Sequence, residues 1–274
     1  VSGKFDIADI PSVVRELSAR VSKIDPEAPV PASSVEGEFD IAISGNSPQA
    51  ATTGLVLKPQ DDKLASAITL KGRWAPEQPL GVDLALDGLA VAATYQIEPA
   101  TYQATVVLDE FTNTRIDRWL SIVKVKVPGL FDLSGKWTGS GGLKTGKHLG
   151  DLSFTQATWS REDADPITAI GGVKYDWPAS FETQGLRLRM SEQTVAVEAA
   201  LEGGLLELRH FAWTDGNTPL ATGTASLPVP EDFAKWRETL AKDKRPVAAD
   251  IHSTELSLPL LKEWVPALAN LDAS

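Results

Sequence analysis

Over most of the chain, apolar and polar residues alternate in short runs, the period-2 signature of strands with one covered face. Such runs predict strands over 38–44, 51–58, 65–74, 80–86, 89–98 and 102–108. A second series covers 136–140, 149–160, 171–176, 180–190, 194–201, 205–214, 219–227 and 247–252. Turn residues punctuate them: Gly45-Asn46, Gln60-Asp61-Asp62, Pro76 with Pro79, Asp87-Gly88 and Pro99 in the first half. Gly141-Gly142, Asp163 to Pro166, Trp177-Pro178, Gly203-Gly204 and Asp215-Gly216-Asn217 do so in the second. Short strands at such regular spacing predict an antiparallel, mainly β architecture.

In a few places the period changes to that of a helix. Between Val106 and Gly141 a strand leads to Thr112-Asn113, whose side-chain oxygens suit a helix N-cap. Ile116, Trp119, Leu120 and Val123 then recur at helical spacing, and Pro128-Gly129 ends the run. In the strand that follows, Leu130, Asp132 and Ser134 share one face and Phe131, Leu133 and Gly135 the other. The same grammar occurs at both ends. Phe5 to Ile7 precedes an amphipathic helix with Ile10, Val13, Val14, Leu17, Val21 and Ile24 on its stripe, then a proline-rich linker from Asp25 to Ser34. At the other end a strand precedes a helix carrying Leu260, Leu261, Trp264 and Leu268. A further helix, Glu231 to Ala241, places Phe233, Trp236, Arg237 and Leu240 together, and a basic link follows from Lys242 to Pro246.

These echoes predict one continuous β-rich repeat segment over 1–274, with internal units near 1–105, 106–246 and 247–274, the last truncated. Val1 falls in mid-strand, so the chain is expected to be a fragment of a longer protein. Several strands pair their apolar face with small residues rather than charges: Ala42, Ala85, Ala92, Ala93, Ala196, Ala199 and Ala200. A second sheet, helices or a greasy ligand could close the apolar side.

Composition narrows the function classes. At 42% hydrophobic and 23% charged residues, the chain is globular rather than disordered. A formal charge of -11 argues against nucleic acid and against electrostatic adsorption to an anionic bilayer. With no cysteine there is no disulfide scaffold and no thiol chemistry. No apolar run reaches the ~20 residues of a spanning helix.

Candidate chemistry dissolves on inspection. Gly141 to Lys147 (GGLKTGK) imitates a phosphate loop, but His148 stands where the magnesium-holding Ser or Thr belongs. A β run follows where a helix is needed, so a glycine hairpin is expected. The three histidines, His148, His210 and His252, lack metal-ligand spacing, and the latter two suit edge or surface positions. The cluster from Arg161 to Asp165 lacks the glycine and distal glutamate of a calcium loop and reads as a solvated turn. Asp61-Asp62 and Asp109-Glu110 are turn or strand-end carboxylates, and no nucleophile elbow occurs. No metal or cofactor is implied, and an enzyme is not expected. Eight tryptophans suggest a carbohydrate-binding or adhesive β module as an alternative. Trp119, Trp236 and Trp264, however, fall on apolar helix faces, and Trp137, Trp159 and Trp213 in alternating strands. A structural β spacer with a closed core is the third reading.

Three stretches resemble the AsmA-like superfamily of bacterial envelope proteins, particularly its TamB-like members. Ile251 to Pro266 (IHSTELSLPLLKEWVP) is similar to the family's polar strand followed by a short Leu-rich helix. Leu130 to Gly135 (LFDLSG) is similar to the glycine-ended strand after such helices, and Trp213 to Leu227 to a hairpin frequent in the repeats. The chain departs from the pattern in its helix at 231–241, its proline-rich linkers and its irregular spacing. The resemblance implies a long antiparallel sheet curled into an open, taco-like groove. It implies a parent anchored in the inner membrane outside this segment and reaching across the periplasm of a Gram-negative-type bacterium. Its groove would shield phospholipid acyl chains on their way between the membranes, or support outer-membrane biogenesis with assembly proteins as partners. The groove face is expected to hold Leu55, Leu57, Ile68, Leu70, Leu84, Leu86, Val195, Val197, Leu206 and Leu208. A one-residue slip in register would turn all ten to the opposite face.

Overall fold

The computed structural model describes residues 1–8, 33–44, 47–59, 67–115, 117, 127, 129–161, 164–229 and 247–254. The helices expected over 10–24, 116–123, 231–241 and 257–268, and the link at 242–246, lie outside the described residues, apart from Asp117.

Fifteen strands make one antiparallel sheet in strict chain order, not closed into a barrel. The first eight are β1 (Ser2–Ile7), β2 (Ser33–Ser44), β3 (Ser47–Pro59), β4 (Ile68–Trp74), β5 (Leu80–Leu86), β6 (Leu89–Gln96), β7 (Thr101–Thr112) and β8 (Leu130–Gly142). The others are β9 (Lys147–Arg161), β10 (Ala164–Trp177), β11 (Ser180–Met190), β12 (Gln193–Glu202), β13 (Leu205–Asp215), β14 (Thr218–Pro228) and β15 (Ala248–Ser253). Two compact units, Val1–Gly150 and Asp151–Ser274, meet in sequence within β9.

Three of the differences from expectation have a physical reason or consequence. β2 begins at Ser33, so the predicted linker gives up its last two residues to a strand. β10 begins at Ala164 and takes in Pro166, and its pairing with β11 starts one residue later, at Ile167. β7 continues past Leu108 to Thr112 through a bulge at Asp109-Glu110, where Glu110 has a φ of 49° and its N–H donates to Ser134 Oγ at 3.0 Å.

Beyond the bulge, Asn113 opens a single 3₁₀ turn (Asn113–Arg115), and its side chain ties this turn to the start of β8. Its Oδ1 accepts from Phe131 N–H at 2.8 Å, while Nδ2 donates to the Gly129 carbonyl at 3.0 Å and to Asp117 Oδ1 at 3.3 Å. The carboxamide expected to cap a helix therefore also fixes where the next strand begins. The glycine stretch 141–147 is the β8–β9 hairpin turn, closed by bonds from the Thr145 and Gly146 N–H groups to the Gly142 carbonyl.

In the unit Asp151–Ser274, Trp213, Leu220 and Ala221 form a buried cluster against which Val195 and Phe211 pack. The Trp213 indole N–H donates to Gln193 Oε1 at 3.2 Å, so burial leaves this polar atom bonded. On the opposite face of the same strands, the Arg209 guanidinium bonds Glu182 at 2.8 Å and Glu207 at 3.5 Å. Both glutamates pair with Ala200 across the sheet, and the arginine spanning them explains why so small a residue on a polar face is buried.

Candidate functional site

Register decides which side chains act together, because residues directly opposite in an antiparallel ladder share a face. In Val1–Gly150 the ladder aligns Leu55 with Leu70, Leu84, Val91, Val106 and Trp137 on successive strands β3 to β8. A parallel row two residues away aligns Leu57 with Ile68, Leu86, Leu89 and Leu108. Toward the edge strand, Val35 and Ile7 continue this second row. Phe5 faces Gly37 at the head of the first, and its ring occupies the space a Cβ there would take. The alternating positions carry the charges: Lys4, Glu36, Glu38, Asp40, Lys58, Lys71, Arg73 and Asp83. One face is thus apolar and the other polar across eight strands.

All six residues expected on the groove face of this unit lie together on the apolar face. Leu86 is buried at 7% exposure, whereas Leu55, Leu57, Ile68, Leu70 and Leu84 are only half-buried. In the other unit Val195 and Val197 lie opposite Trp213 and Phe211, and Leu206 and Leu208 lie opposite Leu201 and Ala199. The bulge at Arg209, opposite Glu198-Ala199, keeps these four on one face. Val195 there belongs to the packing around Trp213.

The alanine reading needs correction at two positions. Ala93 aligns with Val82 and Ala104, and Ala199 with Leu208, so both sit on the apolar faces. Consecutive residues such as Ala92 and Ala93 cannot share a side of a strand. Ala85 and Ala92 do lie on the polar face, where with Ala90 and Val107 they floor a shallow hollow of about 370 Å³.

The polar face of β1 to β5 holds a larger open cleft of about 690 Å³, lined by Lys4, Glu38, Asp40, Lys71, Arg73 and Asp83. Its charges are mixed, and Arg73 Nη1 already meets Asp83 Oδ2 at 3.3 Å. No three or more His, Asp or Glu among the described residues come together as a metal site. His210 and His252 are exposed, the latter 3.1 Å from Asp250 on the last strand of the sheet order. Asp165 of the acidic stretch is bonded to the Ser191 hydroxyl.

Sequence reasoning overlooked the end of the apolar face. One row beyond Val82 and Ala93, the strands end in larger polar-tipped aromatics. Trp74 lies opposite Ala51, Leu80 opposite Tyr95, Tyr95 opposite Tyr102 and Tyr102 opposite Gly141. The Tyr102 hydroxyl is 3.0 Å from His148 Nδ1, and both rings cover Gly141. Only the clustering of Trp74, Tyr95 and Tyr102 near turns could have signalled this row, and it becomes visible once the register is known.

No protein-family model, no curated protein and no solved structure matches the chain.

Proposed function

We propose that the apolar face of Val1–Gly150 carries phospholipid acyl chains, and that the protein is a stretch of an AsmA-like, TamB-like envelope protein, as the sequence resemblance implies. In this reading it lies in the periplasm, its parent is anchored in the inner membrane, and lipid passes along it between inner and outer membranes. One observation carries the reading. Rows of Leu, Ile and Val cross β3 to β7 on one face and, apart from the buried Leu86, stay half-buried, while the opposite face is charged.

The dimensions suit such a cargo. Eight strands at ~4.8 Å spacing give a face about 34 Å wide, against ~15 Å for an acyl chain in one leaflet of a ~30 Å core. Each methylene that leaves water is worth about 0.8 kcal/mol, so a face of half-covered Leu and Val side chains offers affinity without any polar site. The net charge of -11 gives no electrostatic pull toward anionic membranes, leaving apolar contact as the driving force.

The tryptophans lend less support to sugar binding, which wants exposed rings side by side. Trp177 is 47% exposed, but Trp74, Trp137 and Trp159 are half-buried and Trp213 is buried.

The test is native and denaturing mass spectrometry of the chain after incubation with phospholipid vesicles. Lipid adducts are expected on the parent and should be lost in Leu70→Asp/Leu84→Asp, with circular dichroism checking that the sheet persists. A parent that stays free of lipid would sink the proposal.

A further inference from the structure

The apolar face of Val1–Gly150 is not uniform along its strands. Its middle rows are aliphatic, built around Leu55, Leu70 and Leu84. Four residues further along β4 stands Trp74, about 14 Å away at ~3.4 Å per residue. Across β6 and β7 at the same level stand Tyr95 and Tyr102. Trp and Tyr join an apolar body to a polar tip, which suits them to a boundary between hydrocarbon and water.

Their hydrogen bonding adds an independent observation. The half-buried Trp74 indole N–H and Tyr95 hydroxyl have no hydrogen-bond partner among the described residues. The buried indole of Trp213 is treated differently, with its N–H held by Gln193. At the aromatic end the face therefore offers two donors over apolar ring bodies, while the aliphatic side chains of Leu55, Leu70, Leu84, Val91 and Val106 offer none.

Building on the acyl-chain reading above, we infer that this face orients its lipid. The acyl chains lie over the Leu55, Leu70 and Leu84 rows and point along the strands. The phosphodiester and ester oxygens sit at the aromatic end, accepting from Trp74 Nε1–H and the Tyr95 hydroxyl. Head and tail are thus separated along β4 to β7 rather than across the sheet. The ligand class is a glycerophospholipid or another amphiphile whose neck carries hydrogen-bond acceptors, and a bare hydrocarbon would leave both donors unused.

Two tryptophans make a built-in ruler. Trp74 stands in the aromatic row, and Trp137 stands level with Leu70 and Leu84, aligned through Val91 and Val106. The full chain is mixed with vesicles of diacyl phosphocholine carrying a nitroxide quencher either on the headgroup or near the end of one acyl chain. Each tryptophan's signal is the emission lost on going from the parent to Trp74→Phe or Trp137→Phe. If a phenylalanine variant does not fold, the tyrosine variant replaces it.

The expected result is opposite orders of quenching. The headgroup label should quench Trp74 more than the chain-end label, and the chain-end label should quench Trp137 more. Equal or reversed orders would overturn the orientation while leaving acyl-chain binding intact. No quenching by either label would remove the acyl-chain reading and the orientation with it. Trp74→Phe removes the donor and leaves a smaller aromatic ring, so its effect is read against an apolar ligand that feels only the lost ring area. It is expected to weaken binding of the phosphocholine lipid more than binding of a plain long-chain alkane, and equal weakening of both would count against a polar role for Trp74.

Discussion

Leu84 and Leu86 lie two residues apart on β5 with side chains on one face, yet the first is half-buried and the second is 7% exposed. Truncating each to Ala tests the openness of the apolar face inside a single strand. Three carbons at about 0.8 kcal/mol each give ~2.4 kcal/mol for a fully buried leucine, and the residual cavity lifts this toward ~3 kcal/mol. Leu86→Ala should therefore cost about 3 kcal/mol. Leu84→Ala removes a side chain already partly in water, and its neighbours Leu70 and Val91 are half-buried too, so it should cost about 1 kcal/mol.

Urea titration followed by circular dichroism gives both numbers. The comparison stays within the transition of Val1–Gly150, since a chain with two compact units need not unfold in one step. Repeating the titrations with saturating lipid adds the decisive arm. A ligand bound only to the folded state stabilises it, and a variant that binds less tightly gains less. The cost of Leu84→Ala should then rise by about 1 kcal/mol in lipid while that of Leu86→Ala stays put. Equal costs without lipid would show that the middle rows are as closed as Leu86. An unchanged Leu84→Ala cost with lipid would show that no lipid lies on it.

The remaining predictions concern local structure. Asn113→Ala removes one accepted and two donated hydrogen bonds at a residue 4% exposed, and should cost about 2 kcal/mol in chemical denaturation. A cost below about 0.5 kcal/mol would deny that this side chain anchors β8. Gly171→Ala should be strongly destabilising, by about 2 kcal/mol or more. Its φ is 111° at the β10–β11 bulge, and a new Cβ would stand 2.5 Å from the Gly185 carbonyl oxygen. Gly81→Ala should cost less, about 1 kcal/mol, because the added methyl meets only the Arg73 side chain, which must swing away from Cγ outward and give up an exposed ion pair. Comparing the thermal transitions of the two variants checks both. Gln193→Ala removes the acceptor for the Trp213 indole and should cost about 1–2 kcal/mol with a change in near-ultraviolet circular dichroism; an unchanged spectrum would contradict the bond.

Where alternation was uninterrupted and a turn was unambiguous, the strands were legible to the residue. The predicted bounds of 80–86 are those of β5, and those of 180–190 are those of β11, whose flanking turns set its ends although an irregularity between Glu182 and Leu186 interrupts its alternation. Asp87-Gly88 also fixes the pairing of Leu86 with Leu89, and with it the face on which the whole Leu row lies. Legibility failed where the period broke. Asp109-Glu110 looked like a strand end because two polar residues in a row spoil alternation. In the structure they form a bulge that keeps Leu108 and Phe111 on one face. The Asn113 anchor was hidden for a different reason: its partners Gly129 and Phe131 lie beyond a connection whose path local pattern does not specify. The aromatic row was invisible because Trp74, Tyr95 and Tyr102 are distant in sequence and meet only through the ladder.

The physical case for a lipid surface comes from combining these features. An antiparallel sheet with one apolar face needs something over that face, and in a closed sandwich the central leucines would be its driest residues. Here the pattern is inverted: Leu86, beside a turn, is nearly dry, while Leu55, Leu70 and Leu84 in the middle rows keep contact with solvent. Apolar surface left partly in solvent favours association unless it has an occupant or its surroundings are strongly charged. The opposite face supplies charge through Glu36, Glu38, Asp40, Asp83 and their basic neighbours, which suits a sheet that stays in water while one side is apolar. A ligand with long aliphatic chains satisfies the apolar rows, and oxygens at its neck satisfy the two open donors beyond them. A second apolar protein face would satisfy the rows but not the donors, so the quenching order at Trp74 and Trp137 separates a lipid from a protein cover.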